Sequence, residues 1–527
     1  MPRLGTALTL PACLALCGCQ CADPPDSEPV AVAENDANRP NILILMWDTV
    51  RADRMSLYGH HRTTTPRLEA FAADAVVYDR AISPGMWTVP SHASIFTGLP
   101  VASHGANAKW IWLDERFVTA AEHFGDAGWD TWAWSSNPYL SDNSNLLQGF
   151  ETVESSWKGS FATRCAEATE NKLIARDKSC EISPAWTPSG HGKGWPRHLT
   201  AYKDGGAVAG EALLDWVDHR DKPGPWMAYV NYLEAHHPRV PSEAARQSIL
   251  DAEMLQAGLD TEASLHRTMS FMEGKASFSD TELEAVRGVY DASLVDLDRV
   301  TGDLLDALKD RGVLDHTIVV IVSDHGEQLG EHGMFDHRWS VWQELIGVPL
   351  VIRYPAGIDA GRVSEPVSTQ QLLATLCDLT ALACPAGLPL TSLRSAPPAR
   401  VYSELIQPTP RLPPIRAVYP NLPPDRWRSR YHVTVEGSHK LIRHSDATKQ
   451  LFDLDADPGE DHDLAADSPA RVTALLQHVK AWQAGLNRYN AGLRSPSDKP
   501  GNALAADRET MDQLKLLGYT SDEEGAH

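Results

Sequence analysis

A few short stretches of the 527-residue chain carry side chains able to do nucleophilic, acid–base or metal chemistry. One is Gly85-Met86-Trp87-Thr88-Val89-Pro90-Ser91-His92-Ala93-Ser94-Ile95-Phe96-Thr97-Gly98, which reads as a loop turning into a short helix, with Ser91 as the expected N-cap and Gly98 at its end. A hydroxyl at Thr88 would lie near the positive end of that helix, where developing negative charge is favoured. Asp48-Thr49 follows one apolar run, and Asp324-His325-Gly326-Glu327 follows another. Asp48, Asp324 and His325, with a hydroxyl, suit a single divalent cation with an open coordination position. Oxygen ligands alone favour Ca²⁺; His325 shifts the balance towards Mn²⁺, Zn²⁺ or Mg²⁺. A cation-bound Thr88 would attack a tetrahedral phosphorus or sulfur centre. His236, in Glu234-Ala235-His236-His237-Pro238, and His337 would contact the anion or protonate the leaving oxygen. His92, one turn past Thr88, has three open roles: holding Thr88, holding the anion, or packing.

These residues need strands to bring them together. Residues 41–47 and 317–322 are continuous apolar runs, as expected of strands buried on both faces in a parallel sheet. An acid at the carboxyl end of such a strand sits where open α/β sheets place their ligands. Between the two runs, helical stretches (66–73, 116–127, 206–218, 286–308) alternate with strand-like ones (75–78, 129–135, 226–233). That alternation predicts an α/β domain around a mostly parallel central sheet, over residues 39–400. Residues 401–490 differ: a Pro- and Arg-rich loop at 407–427, short strands at 431–435, 440–443 and 450–454, and a helix at 470–486 predict a small antiparallel C-terminal subdomain. Residues 491–527 read as a linker and a terminal helix ending before Gly518.

The net charge of −23 argues against nucleic acid as a partner, since phosphate backbones select basic surfaces. An anionic ester, small or polymeric, remains compatible if a cation dominates the site locally. Arg3 and the apolar run to Leu16 read as a signal peptide over residues 1–18. The run closes on Leu16-Cys17-Gly18-Cys19, similar to a bacterial lipoprotein box, with Cys19 as the lipidated residue and 19–38 as a flexible tether. The expectation is an exported protein, periplasmic or at the cell surface, held to the membrane by its lipid alone. Export permits disulfides, and Cys165–Cys180 and Cys377–Cys384 are the sequence-local pairings. Oligomeric state is not readable from these features.

The stretch around Thr88 resembles the sulfatase signature, Cys/Ser-x-Pro-Ser-Arg followed by Thr-Gly, with Thr88 at the nucleophile and His92 in place of the arginine. Ordered resemblances extend over residues 40–485: Pro40 to Asp48, Tyr58-Gly59, Thr65-Pro66-Arg67-Leu68, His104-Gly105, the segment holding His236, Ser323 to Glu327, Glu331-His332-Gly333, and Leu451 to Glu460. The resemblance implies the alkaline-phosphatase and sulfatase α/β sandwich, with Asp48 and Asp324 as metal ligands, Thr49 where the second acid of an aspartate pair often stands, and His337 near the catalytic lysine. In sulfatases the nucleophile is formylglycine, made from Cys or Ser. Threonine cannot form that aldehyde and brings no second hydroxyl, so a Thr88 adduct must be cleared by attack at the central atom, which favours phosphoesters over sulfate esters. The leading expectation is a metal-dependent ester hydrolase. The alternatives are a phospho-head-group transferase of the same superfamily and an inactive anion-binding member.

Overall fold

The computed structural model describes residues 39–108, 111–172, 205–406 and 430–491. An eight-stranded sheet is built from β1 (Asn41–Trp47), β2 (Val76–Tyr78), β3 (Asp130–Ser135), β4 (Thr152–Ser155), β5 (Trp226–Tyr232), β6 (Thr317–Val322), β7 (Leu350–Arg353) and β8 (Gly361–Val363). Across the sheet they run β8-β2-β7-β6-β1-β5-β3-β4. Every neighbouring pair is parallel except the two made by β7. The apolar runs are continuous because both faces of the sheet are covered. Ile42, Ile44 and Met46 of β1 enter one core layer, while Leu43, Leu45 and Trp47 enter the other. The first layer takes in helix α1 (Thr88–Thr97). The second takes in α2 (Gly206–His219) and α3 (Asp280–Asp310), the latter started by a reciprocal Ser279–Glu282 capping box.

Two boundaries differ from the sequence expectation. Helix α1 begins at Thr88, with Trp87 as its N-cap, rather than at Ser91. Pro90 then sits in the first turn, where its missing N–H costs nothing. The helix expected at 116–127 spans only Ala120–Asp126, because Thr119 caps it through a reciprocal pair with Glu122. The helix does end at Gly98, in the left-handed conformation (φ 68°).

The C-terminal sheet is antiparallel, in the order β9 (Val401–Leu405), β10 (Tyr431–Glu436), β11 (His439–His444), β12 (Lys449–Asp453). β9 had no counterpart in the sequence reading, which placed a boundary at its first residue. One face of this sheet joins the main core through Val433, Val435, Ile442 and Phe452. The other carries a helix, α4 (Pro469–Ala491), through Leu441, Leu451, Val472 and Leu475. A wholly buried ion pair, Lys440 Nζ to Glu460 Oε1 at 2.8 Å, lies within it. Glu460 also accepts the backbone N–H of Gln343 at 2.5 Å, tying the small sheet to the large domain.

Among the described residues no helix is long and apolar enough to cross a membrane. Cys19 and Cys180 lie outside the described residues, and with them the lipidation site and the Cys165–Cys180 pairing. The expected Cys377–Cys384 bridge is not formed: both are free thiols. Cys377 faces the core from helix Leu372–Leu379, whereas Cys384 lies on the exposed segment beyond it and turns its sulfur to the Ala374 carbonyl at 3.9 Å.

Candidate active site

Strand register assembles the site. Met46 of β1 pairs with Val322 of β6, so Asp48 and Asp324, each two residues further on, emerge side by side at the carboxyl ends of adjacent parallel strands. Met46 also pairs with Asn231 of β5, and Asn137 follows the end of β3, the next strand out. This is the edge where α/β sheets collect ligands.

Asp48, Asp324 and His325 offer ligand atoms all within 4.8 Å of one another, and all three are wholly buried. His325 donates Nδ1–H to the Gly326 carbonyl at 2.9 Å, which leaves the Nε2 lone pair facing Asp324 Oδ2 at 3.2 Å and Asp48 Oδ1 at 3.9 Å. Asp48 Oδ1, Thr49 Oγ1, Asp324 Oδ2 and His325 Nε2 are buried with no hydrogen-bond partner. The acid and imidazole atoms gathered there are costly to leave orphaned unless a cation occupies the space between them. The residues therefore fit a divalent metal. Without one, a proton must substitute: burial and the charge of Asp324 push the Asp48 carboxyl up to about 7. Burial lowers the His325 imidazole, but Asp324 outweighs it and raises it to about 9.

Thr49 takes up a left-handed backbone (φ 62°), unusual for a β-branched residue. It is held there by its N–H to Asp324 Oδ1 (3.3 Å) and by the Tyr290 hydroxyl donating to its carbonyl (2.8 Å). Gly326 packs so closely that a Cβ would sit 1.9 Å from the Glu344 carbonyl oxygen. Only glycine fits between the ligands and that segment.

Thr88 is the first residue of α1, so its hydroxyl lies at the open amide end of the helix. Asn137 Nδ2 donates to Asp48 Oδ2 at 2.8 Å and to Thr88 Oγ1 at 3.3 Å, linking hydroxyl and acid. The orientation of that amide is fixed, because its Oδ1 accepts the Tyr139 N–H at 3.0 Å. His92 is wholly buried and does not face the open site. Its Nδ1–H donates to the Thr88 carbonyl at 2.8 Å and lies 3.4 Å from Asp324 Oδ2, while Nε2 accepts the Tyr229 hydroxyl at 2.7 Å. Burial depresses its pKa, which suits that neutral tautomer.

His337 stacks on His325 with ring centroids 4.4 Å apart, and His236 meets His337 edge-on at 5.2 Å. His337 Nδ1 is 3.1 Å from Glu327 Oε1, and Glu327 Oε2 is held by Arg239 Nη2 at 2.8 Å. Burial would raise the Glu327 carboxyl, but His337 and Arg239 together hold it below the usual range.

The structure thus brings Asp48, Thr49, Thr88, Asp324, His325, His236 and His337 to one place, with His92 behind Thr88. Asn137, Asn231, Tyr229, Glu327 and Arg239 were missed. Asn137 had a usable signal, since it follows a strand end as Asp48 does. Glu327 lay within a motif already singled out. Asn231 was readable as a polar residue inside an apolar run. Arg51, assigned no role in the chemistry, is tied to Asp53 (2.7 Å) and Glu331 (2.9 Å).

The sulfatase family model matches residues 40–382, and the model for the C-terminal part of N-sulphoglucosamine sulphohydrolase matches 330–482. The chain is 26% identical over 529 residues to N-acetylglucosamine-6-O-sulfatase of Bacteroides thetaiotaomicron, covering 91% of each protein. It is 24% identical to the multifunctional alkaline phosphatase superfamily protein PehA of Trinickia caryophylli, covering 84% of this chain and 95% of that protein. Its fold is similar to the phosphonate monoester hydrolase of Agrobacterium radiobacter, with a TM-score of 0.64 at 21% identity over 85% of this chain and 96% of that one. With most of the catalytic domain inside the family model, the chain belongs to the sulfatase family of ester hydrolases.

Proposed function

We propose that the protein is a metal-dependent hydrolase of anionic esters that uses Thr88 as its nucleophile and prefers phosphoesters to sulfate esters. The observation that carries this reading is the Asn137 amide joining Thr88 Oγ1 to Asp48 beside a set of orphaned metal-type ligands. A divalent ion held by Asp48, Asp324 and His325, with Thr49 close by, would favour the ionised Thr88 hydroxyl and neutralise charge on the ester.

The chain's own groups account for the remaining steps. Asn137 and the first-turn amides of α1 orient Thr88 Oγ1 and stabilise negative charge on it. In the first half-reaction a Thr88 Oγ1–phosphorus bond forms, the bond to the leaving oxygen breaks, and His236 or His337 gives that oxygen a proton. Glu327 holds His337 by Nδ1, presenting its other nitrogen to the site. In the second half-reaction water attacks phosphorus, the same imidazole takes its proton, and Thr88 leaves. His92 acts from behind as a positioning residue.

The phosphoester preference follows from threonine having no geminal hydroxyl, so the adduct opens only by attack at the central atom. The names of the relatives span sulfated sugars and phosphonate monoesters, which supports an anionic ester without selecting one. The test is a paired assay of the metal-loaded protein on aryl sulfate, aryl phosphate and bis-aryl phosphate, beside Thr88→Ala. Phosphoester turnover lost in the mutant supports the reading; turnover of sulfate alone overturns the preference. We also propose that Cys19 carries a lipid anchor on an exported protein, to be checked by labelled palmitate uptake with and without Cys19→Ala.

A further inference from the structure

Arginine side chains in this acidic protein are neutralised with great regularity. Among the described side chains they face carboxylates. Arg39 and Arg246 instead donate to the backbone carbonyls of Ala127 and Pro241. Arg430 and Arg443 break the pattern. Among the described residues, Arg443 reaches only Gln483 Oε1, at 3.5 Å, and the Arg430 guanidinium has no partner. Both line one cleft of about 470 Å³ on the C-terminal sheet, together with His432, His444 and Ser445.

The cleft is built by register. Glu404, His432 and Arg443 are directly paired across β9, β10 and β11, so they share a face of the sheet. Glu404 does not neutralise the arginines. Its Oε1 takes His432 Nδ1 (3.1 Å) and its Oε2 accepts the Ala102 N–H (3.0 Å). Gln483 Nε2 donates to His432 Nε2 at 3.2 Å, so the imidazole is fixed from both sides. Glu404 lines the cleft too, but it is committed to His432 and Ala102, which leaves the two guanidiniums there without a carboxylate partner among the described residues, in a chain whose net charge is −23. None of these residues belongs to the Thr88 site, but the Glu404 N–H donates to the Pro84 carbonyl at 2.9 Å, four residues before the nucleophile.

We propose that this cleft is a second anion-binding site, taking a sulfate, phosphate or carboxylate group between the Arg430 and Arg443 guanidiniums. Planar guanidiniums recognise such oxyanions through paired N–H donors. The group comes either from a polyanionic substrate whose ester is cleaved at Thr88, which rests on the function proposed above, or from a free inorganic oxyanion.

Equilibrium dialysis of the metal-loaded full chain against labelled inorganic sulfate and phosphate reads the metal centre and the cleft together without any turnover, and the arginine variants isolate the share bound in the cleft. The expected result is binding that weakens by about tenfold or more in Arg430→Ala and in Arg443→Gln. Unchanged binding in both variants, each verified as folded by circular dichroism, overturns the proposal. Arg430 is exposed, so its variant keeps the test valid if Arg443→Gln fails to fold. Kinetics separate the sources. A KM raised for a sulfated oligosaccharide, with that for a small aryl ester unchanged, assigns the site to the substrate. Equal KM values with weakened dialysis binding assign it to a free oxyanion. Silence on every ester refutes the Thr88 reading alone, since dialysis still reports on the cleft.

Discussion

Two groups of buried carboxylates in this molecule use charge in opposite ways. Asp291, in the middle of α3, accepts from Arg54 (2.7 and 2.9 Å), Arg62 (2.7 Å) and His60 (3.1 Å), so it is wrapped in cations. Asp48 and Asp324 are as deeply buried, yet among the described residues no arginine or lysine reaches them, and imidazoles are their only ion-pair partners. Burial acts on both groups in the same direction; the partners decide the outcome. The first group holds the long helix α3 to the segment after β1. The second is left incomplete, and incompleteness in a dry pocket is what binds a cation.

Perturbing each group should produce a different kind of damage. The largest effect falls on chemistry: Thr88→Ala should lower kcat by at least about ten-thousandfold, as for removal of a nucleophile, with metal stoichiometry measured alongside to show that the ligands persist. Asp324→Asn comes next. Metal measured by mass spectrometry should fall to background and kcat by about a thousandfold, while the melting temperature of the metal-free protein should fall less than in Asp291→Asn, because Asp324 is held by imidazoles and not by arginines. An equal fall would mean that Asp324 has a structural role like that of Asp291.

Asp291→Asn should show the reverse pattern: destabilised by about 3–5 kcal/mol because it strands buried cations, with normal kcat per folded molecule. Burial pushes the Asp291 carboxyl up, but the hydrogen bond from His60 and the charge of Arg54 outweigh it and hold it below the usual range. A depressed carboxylate adds stability above its unfolded pKa, near pH 4, and that stability is lost as pH falls through the folded value. Denaturant titrations should therefore show wild type and Asp291→Asn converging below about pH 4. The smallest effect is expected for Glu327→Gln, about tenfold in kcat, and larger for alkyl than for nitrophenyl leaving groups if Glu327 positions His337 as the acid.

The contrast also explains what could be read from sequence. Asp48, Asp324 and His325 were legible because each ends an apolar run, and the polarity of a parallel strand says which end faces ligand. The sheet itself was legible from the same runs. Asn137 was legible only in part: it follows a strand end, but its place beside Asp48 depends on β3 lying next to β5 and β5 next to β1, an order that no local pattern encodes. The companions of Asp291 were hidden for a similar reason: Arg54 ends a single 3-10 turn, His60 and Arg62 come from coil, and all three reach it across more than two hundred residues. The inward turn of His92 depends on Tyr229, another cross-sheet contact. Cys377 and Cys384 show the limit of spacing as a guide: the thiols come within hydrogen-bonding reach of each other without forming the bridge.

Gly326 has a consequence for how this enzyme can drift or be engineered. With the Glu344 carbonyl 1.9 Å from where a Cβ would be, every alternative residue displaces the backbone that carries Asp324 and His325. In a saturation library, position 326 should therefore return a single letter among active clones.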